Sequence, residues 1–235
     1  MALPRINEVL KFSLTIPSTG QVVRYRPYVV KEEKVLLQAF ESKDTSACLQ
    51  ALSDTLESCL DPNENIKVSS LATFDLEYMF LKVRSKSVGE SSDVVIRCKE
   101  CNEPNEHSID LEEVNISVNK DDFLVDITDT IKVEMRFPSY ERVTTQDIDA
   151  GDIDSSLNLV ASCISAVHTE DERTDCSTVS SEEMLEFLGS MTATQLKGIS
   201  DFIENMPSLT HDIFFKCQKC GVDNEITLSG LSDFF

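Results

Sequence analysis

Cys98 and Cys101 stand three positions apart in VIRCKECNEPNEHSIDL, and Cys217 and Cys220 repeat the spacing in FFKCQKCGVDNEITL. A Cys-x-x-Cys turn offers two soft sulfur ligands to one metal ion, and its backbone N–H groups point at the sulfurs and stabilise their charge. One such pair cannot close a structural site. Two pairs can, as a tetrahedron with zinc–sulfur distances of about 2.3 Å. Arg97, Lys99, Lys216 and Lys219 flank the cysteines and add positive charge, and Gly221 suits a turn that needs positive φ. The flanks repeat as well: Asn105 and Glu106 follow the first pair as Asn224 and Glu225 follow the second, 119 residues on. Cys98, Cys101, Cys217 and Cys220 therefore read as one structural Zn2+ site, a split four-cysteine zinc ribbon whose two knuckles are separated by 115 residues.

Other chemistry for these residues is weaker. A redox Cys-x-x-Cys normally opens a helix after a strand, whereas strand-like residues follow both pairs here. Two half-sites, each completed by another subunit, are an alternative, and His107 could join either, but its spacing is poor and a surface position fits it better. A catalytic zinc needs an open coordination position and a nearby base. Four thiolates leave none open, and Glu106 and Glu225 recur in both copies, which favours a structural role. A metal-dependent hydrolase would need a ligand set that the sequence does not show. The run DIDAGDID (147–154) has the composition of a calcium loop without the EF-hand order of ligands. No P-loop, dinucleotide fingerprint or G-x-S-x-G appears. His168 and His211 lack an evident Ser or Cys partner. Cys48, Cys59, Cys163 and Cys176 are irregularly spaced and read as free thiols, buried or partly so.

The knuckles need strands, and the patterning supplies them. Val94-Val95-Ile96 leads into the first pair and Ile109 and Leu111 lead out, while Ile213-Phe214-Phe215 leads into the second. Residues 12–28 read as a β-hairpin, with Phe12, Leu14 and Ile16 alternating before a Pro17–Gly20 turn and Val23 and Tyr25 after it. Apolar residues at 29, 30, 35, 36, 37, 39 and 40 predict a helix. A second helix, capped by Asp44 or Thr45, carries Leu49, Leu52, Leu56 and Leu60 and stops at Asp61-Pro62. A third, over 69–86, presents Leu71, Phe74, Tyr78, Leu81 and Val83, with Arg84 and Lys86 near its C-terminus, where cations favour the helix dipole. Ile131, Val133, Met135 and Phe137 alternate as a half-buried strand. Residues 155–168 read as one helix through Leu159, Cys163 and Val167. Two more helices start at Ser180 or Ser181 and at Thr192 or Thr194, and Pro207 ends the last. The fold class is α+β, with helices between short antiparallel strands. Four segments follow: 1–92, the hairpin and helices; 93–138, the first knuckle and strands; 139–208, an acidic loop and helical insertion; and 209–235, the second knuckle.

Charge and length exclude several classes. The 235 residues carry a formal net charge of −21, which argues against nucleic-acid binding by a broad basic surface. No apolar run approaches the roughly 18 residues of a membrane span, and the N-terminus has no signal-peptide pattern, so synthesis in a cytoplasm is expected. Charge is uneven. Residues 1–31 hold Arg5, Lys11, Arg24, Arg26 and Lys31 against Glu8, whereas residues 141–186 hold twelve acidic side chains against Arg142 and Arg173. A basic head on an acidic body suits oriented docking to proteins. Arg24, Tyr25 and Arg26 are the docking candidates, because alternation puts both arginines on one face and interfaces favour Arg and Tyr. The competing expectation is that the arginines pair with the chain's own carboxylates.

Three stretches together, LTIPSTGQVVRYRPYVVKEEKVLL (14–37), FDLEYMFLKVRSKSVGE (74–90) and the paired knuckles, resemble the baseplate hub subunit and hub-assembly proteins of T-even-like contractile-tailed bacteriophages. The resemblance implies a non-enzymatic role in building or forming the tail baseplate hub. It implies other hub and tail proteins as partners, residence in the host cytoplasm during assembly and a place in the virion tail. A zinc-ribbon adaptor that binds a host protein complex is the alternative.

Overall fold

The structure, a computed structural model of the chain, describes residues 11–42, 44–118, 123–145 and 153–234. The chain forms two compact units. The first comprises Met1–Val68, Phe74–Ser117 and Pro207–Phe235, and the second Ser69–Thr73 and Val118–Met206. Both mix helices with short antiparallel strands, as the alternating sequence periods predict.

In the first unit, β1 (Phe12–Thr15) and β2 (Val22–Tyr25) form the expected hairpin, pairing Phe12 with Tyr25 and Thr15 with Val22. Its inward residues Leu14, Ile16, Val23 and Tyr25 are buried. Helix α1 (Val30–Ser42) packs on α2 (Thr45–Cys59), whose N-cap Asp44 accepts from the Ser46 and Ala47 amides. The apolar content of α1 overstates its burial: Leu36 is in the core, but Val30, Val35, Leu37 and Phe40 are exposed.

Helix α3 (Thr73–Ser87) is the centre of this unit. It starts four residues later than the sequence reading, because Val68–Ser70 form a separate 3-10 turn. It is also buried on more than the one face read from the sequence, since Leu76, Met79 and Phe80 join Phe74, Leu81 and Val83 in the core. Tyr78 is only half-buried. Two charged residues go inside with them, and each has partners. Asp75 accepts the Ser18 amide at 3.0 Å, which holds the turn of the β1–β2 hairpin. Lys82 Nζ donates to the Leu111 carbonyl at 3.0 Å and the Glu112 carbonyl at 2.8 Å, while its own carbonyl accepts from Tyr25 Oη at 3.3 Å. Burial lowers the Lys82 pKa, and the nearby Glu112 opposes the shift. One buried lysine thus ties α3 to the segment that leaves the first knuckle.

The second unit carries a four-stranded antiparallel sheet in the order β5 (Leu124–Asp126), β6 (Lys132–Met135), β7 (Ile164–His168) and β8 (Arg173–Asp175). Short helix α4 (Tyr140–Thr145) follows β6. Helices α5 (Ile153–Ser162), α6 (Ser181–Gly189) and α7 (Ala193–Glu204) complete the unit. Ser180 caps α6, and Thr192 with Gln195 forms a capping box on α7. Val133, Met135, Cys163, Ile164, Met184, Leu188 and Ile199 form its core.

The single helix expected over 155–168 is corrected here. It ends at Ser162, and Ile164–His168 is a strand between β6 and β8. Leu159, Cys163 and Val167 fit helical spacing, but Ile164 and Ala166 fit strand alternation equally well, and both are fully buried. Periodicity alone does not separate the two over so short an apolar run; tertiary pairing with β6 decides it.

Both polar networks can be tested. Lys82→Met keeps the stem but strands two carbonyl acceptors, and should lower stability in urea unfolding by about 2 kcal/mol. In the second unit, Glu134 bonds Arg173 at 3.0 and 3.1 Å and His168 at 2.8 Å, and these partners, Arg173 first, hold its carboxyl down at about 2. The folded value lies below an unfolded value of about 4.3, so the stabilisation is present above that pH and is lost as pH falls through the folded value. The melting-temperature gap between wild type and Glu134→Gln should be widest near neutrality and should close in acid.

Candidate metal centre

The two Cys-x-x-Cys turns sit at the tips of two hairpins of one construction. β3 (Ser91–Arg97) pairs with β4 (Pro104–Asp110), and β9 (Thr210–Lys216) pairs with β10 (Asp223–Ser229). The registers correspond throughout: Ser91 faces Asp110 as Thr210 faces Ser229, and Arg97 faces Pro104 as Lys216 faces Asp223. The repeat seen around the cysteines therefore extends over both whole hairpins. Residues Leu231–Phe234 form a 3-10 turn that docks on β3, where Ser92 Oγ donates to the Phe234 carbonyl at 2.6 Å.

Each tip folds the same way. The Cys98 amide donates to the Glu103 carbonyl at 2.9 Å and the Asn102 amide to the Cys98 carbonyl at 3.0 Å; Cys217–Val222 and Gly221–Cys217 repeat both bonds at 2.9 and 3.0 Å. Gly221 has φ 72°, as its residue type suggests. Asn102, at the equivalent place in the first knuckle, adopts φ 57°, a conformation Asn tolerates better than most residues.

The four Sγ atoms lie within 4.8 Å of one another. Two close approaches cross between knuckles: Cys98 to Cys220 and Cys101 to Cys217, both 3.6 Å. Sulfurs bonded to each other stand about 2.05 Å apart. Sulfurs at the corners of a tetrahedron around zinc stand about 3.8 Å apart, given a bond of about 2.3 Å. The cluster has ligand spacing. The thiols divide two and two: Cys101 and Cys220 are raised, their backbone bonds with Glu103 and Val222 being outweighed by desolvation and the neighbouring thiols, while the first cysteine of each knuckle is lowered. The Cys217 thiol is lowered to about 6, chiefly because its sulfur accepts the Cys220 amide, with the Lys219 amide contributing. Cys98 is lowered too, first by the Cys101 amide and then by that of Glu100. Lowered thiols favour the thiolate that a metal needs.

Three of the flanking cations bond within or across the knuckles. Arg97 and Lys99 donate to the carbonyls of Asn102 and Glu225, and Lys219 pairs with Glu103 at 2.6 Å. They fasten the knuckles, and the Lys219 pKa is raised first by its bond to Glu103 and further by Cys101 and Cys217, so its charge reaches the sulfurs as well. Asn105 and Asn224, noted in the sequence only as part of the repeat, are buried, and each reaches across to the other knuckle. Glu106 and Glu225 are exposed on the outer faces. His107, expected on the surface, is half-buried between the hairpins, its ring centroid 4.5 Å from that of Phe215; it is outside the sulfur cluster.

Elsewhere, Cys48, Cys59, Cys163 and Cys176 are free thiols, and burial pushes Cys59 and Cys163 up to about 11. Most of the acidic run with the composition of a calcium loop lies outside the described residues. Of the docking candidates, Arg24 and Arg26 lie off the buried face of β2 but engage the chain's own carboxylates, Glu64 at 3.1 Å and Glu32 at 2.7 Å. Tyr25 points the other way, into the core, at 3% exposure. Among the described residues no helix is long and apolar enough to cross a membrane.

The family model described as T4 bacteriophage base plate protein matches residues 9–235. The chain belongs to that family, and is thus a phage baseplate protein. No curated protein and no solved structure gives a significant match.

The geometry sets an expectation for metal content. Elemental analysis of reduced, purified protein should find one zinc per chain. Cys98→Ser or Cys217→Ser should lose the metal and much of the thermal stability, because metal binding is coupled to folding.

Proposed function

We propose that this baseplate protein is a non-enzymatic structural or assembly component of the tail baseplate hub. It acts by docking to other hub and tail proteins, and a structural zinc at Cys98, Cys101, Cys217 and Cys220 holds its fold. The observation that carries the reading is the convergence of four thiols from two distant hairpins, in a chain matched almost end to end by a baseplate family. A closed four-sulfur set supplies rigidity and offers no position for substrate or water.

The N-terminal hairpin is the proposed docking element, in a narrower form than alternation implied. Tyr25 is core. The Arg24 side chain is 57% exposed, whereas Glu64, which accepts from both the Arg24 Nε and its amide, is 13% exposed. A partner carboxylate can approach the guanidinium from its exposed side. Assembly takes place in the host cytoplasm, and the product is carried in the tail.

Arg24→Glu should fold and retain metal, yet bind other hub proteins weakly in pull-downs from infected cells and fail in tail assembly. Raising salt should weaken the wild-type association, as expected for charges at an exposed rim. Normal assembly by the variant would remove the docking role from this hairpin. Mass spectrometry of purified virions tests the hub reading itself: the chain should co-purify with baseplates or with baseplate precursors from infected cells, and its absence from both would contradict that reading.

A further inference from the structure

Asn105 and Asn224 make the same three-way connection in opposite directions. Asn105 Oδ1 accepts the Gln218 amide at 3.1 Å, and its Nδ2 donates to the Glu103 carbonyl at 2.8 Å and faces Cys217 Sγ at 3.9 Å. Asn224 Oδ1 accepts the Lys99 amide at 3.0 Å, and its Nδ2 donates to the Val222 carbonyl at 3.0 Å and faces Cys98 Sγ at 3.6 Å. Each carboxamide thus bonds its own knuckle at one point and reaches the other knuckle's first cysteine and the amide after it.

The sulfurs chosen are those that water cannot reach. Cys98 and Cys217 are each 2% exposed, whereas Cys101 is half-buried and Cys220 is exposed. A buried thiolate needs hydrogen-bond donors in place of solvent, and groups around a metal's ligands orient them and tune their charge. Only a carboxamide of this length meets the whole demand. Asp has the same shape but donates nothing and would present a carboxylate to thiolates. Gln is a methylene too long for the same cross-bonding, and Ala makes none of these bonds. Neighbouring positions differ between the copies, with Lys99 against Gln218, Glu103 against Val222 and His107 against Ile226. The Asn is kept in both.

We propose that Asn105 and Asn224 are positioning residues of the metal centre, each holding the opposite knuckle's first thiolate toward the ion and drawing off part of its charge. This rests on the zinc reading of the four cysteines. Through these two residues the hairpins are matched to each other within one chain, and the site is set for a tetrathiolate ion.

The test uses the full-length protein as wild type, Asn105→Ala, Asn105→Asp, Asn224→Ala and Asn224→Asp. Zn2+ and Co2+ are titrated in competition with a chromophoric chelator. Affinity should fall in the order wild type, Ala, Asp, by roughly 10-fold for Ala and roughly 100-fold for Asp. The sulfur-to-cobalt charge-transfer band should move in the variants. A residue that merely fills space gives the reverse order, with isosteric Asp close to wild type and Ala weaker; that result, or an unmoved band, overturns the proposal. Where a variant is unfolded without metal, the concentration giving half-maximal refolding by circular dichroism supplies the same ranking. Wild-type protein that takes up neither ion overturns the zinc reading itself, a failure distinct from a wrong order among variants that bind.

Discussion

One constraint runs through the first unit: four sulfur atoms from residues 98–101 and 217–220 come within 4.8 Å of one another, and the proposed zinc requires them at the corners of one small tetrahedron. An ion held there, as proposed, would fasten a loop of more than a hundred residues that carries Val118–Met206 of the second unit. Closing so long a loop costs entropy that grows only slowly with its length, and zinc–thiolate coordination is strong enough to offset it. The constraint also explains why the hairpins are copies. A tetrahedral site served by two bidentate turns is met most simply by two turns of the same shape, and the matching registers of β3–β4 and β9–β10 show that shape repeated across full strands.

From the hairpins the constraint passes into the core through polar contacts. Lys82 on α3 holds the carbonyls that follow β4, Tyr25 of the N-terminal hairpin holds Lys82, and Ser18 holds Asp75. Leu231 donates its amide to Glu77, whose burial raises its pKa, and so brings the C-terminal turn onto the same helix. Helix α3 is accordingly the organising element of the unit. Buried charged residues within it are satisfied by backbone from three different parts of the chain, which specifies how those parts sit more narrowly than apolar packing alone would.

Much of this was legible in the sequence where chemistry restricts the choice of residue. The four cysteines, Gly221, the Pro17–Gly20 turn and the helix caps are positions where few residue types suffice; of the paired cap candidates the structure uses Asp44, Ser180 and Thr192. What stayed hidden depends on neighbours distant in sequence. Leu159–Val167 reads as helix until β6 claims Ile164–His168. The apolar residues of α1 look like core until the structure leaves Val30 and Leu37 in solvent. Nothing in the local sequence marks Lys82 or the two asparagines as buried; partners tens to more than a hundred residues away surround them. The duplication of Asn-Glu did carry a signal, but it could not tell which of the two residues faces inward.

The central claim is that one zinc ion, bound by four thiolates, joins the two hairpins within a single chain. X-ray absorption at the zinc edge, on reduced monomeric full-length protein, tests it most directly. The account requires four sulfur neighbours at about 2.3 Å and no lighter atom in the first shell. A shell containing nitrogen or oxygen, or a shell of two sulfurs, would contradict it.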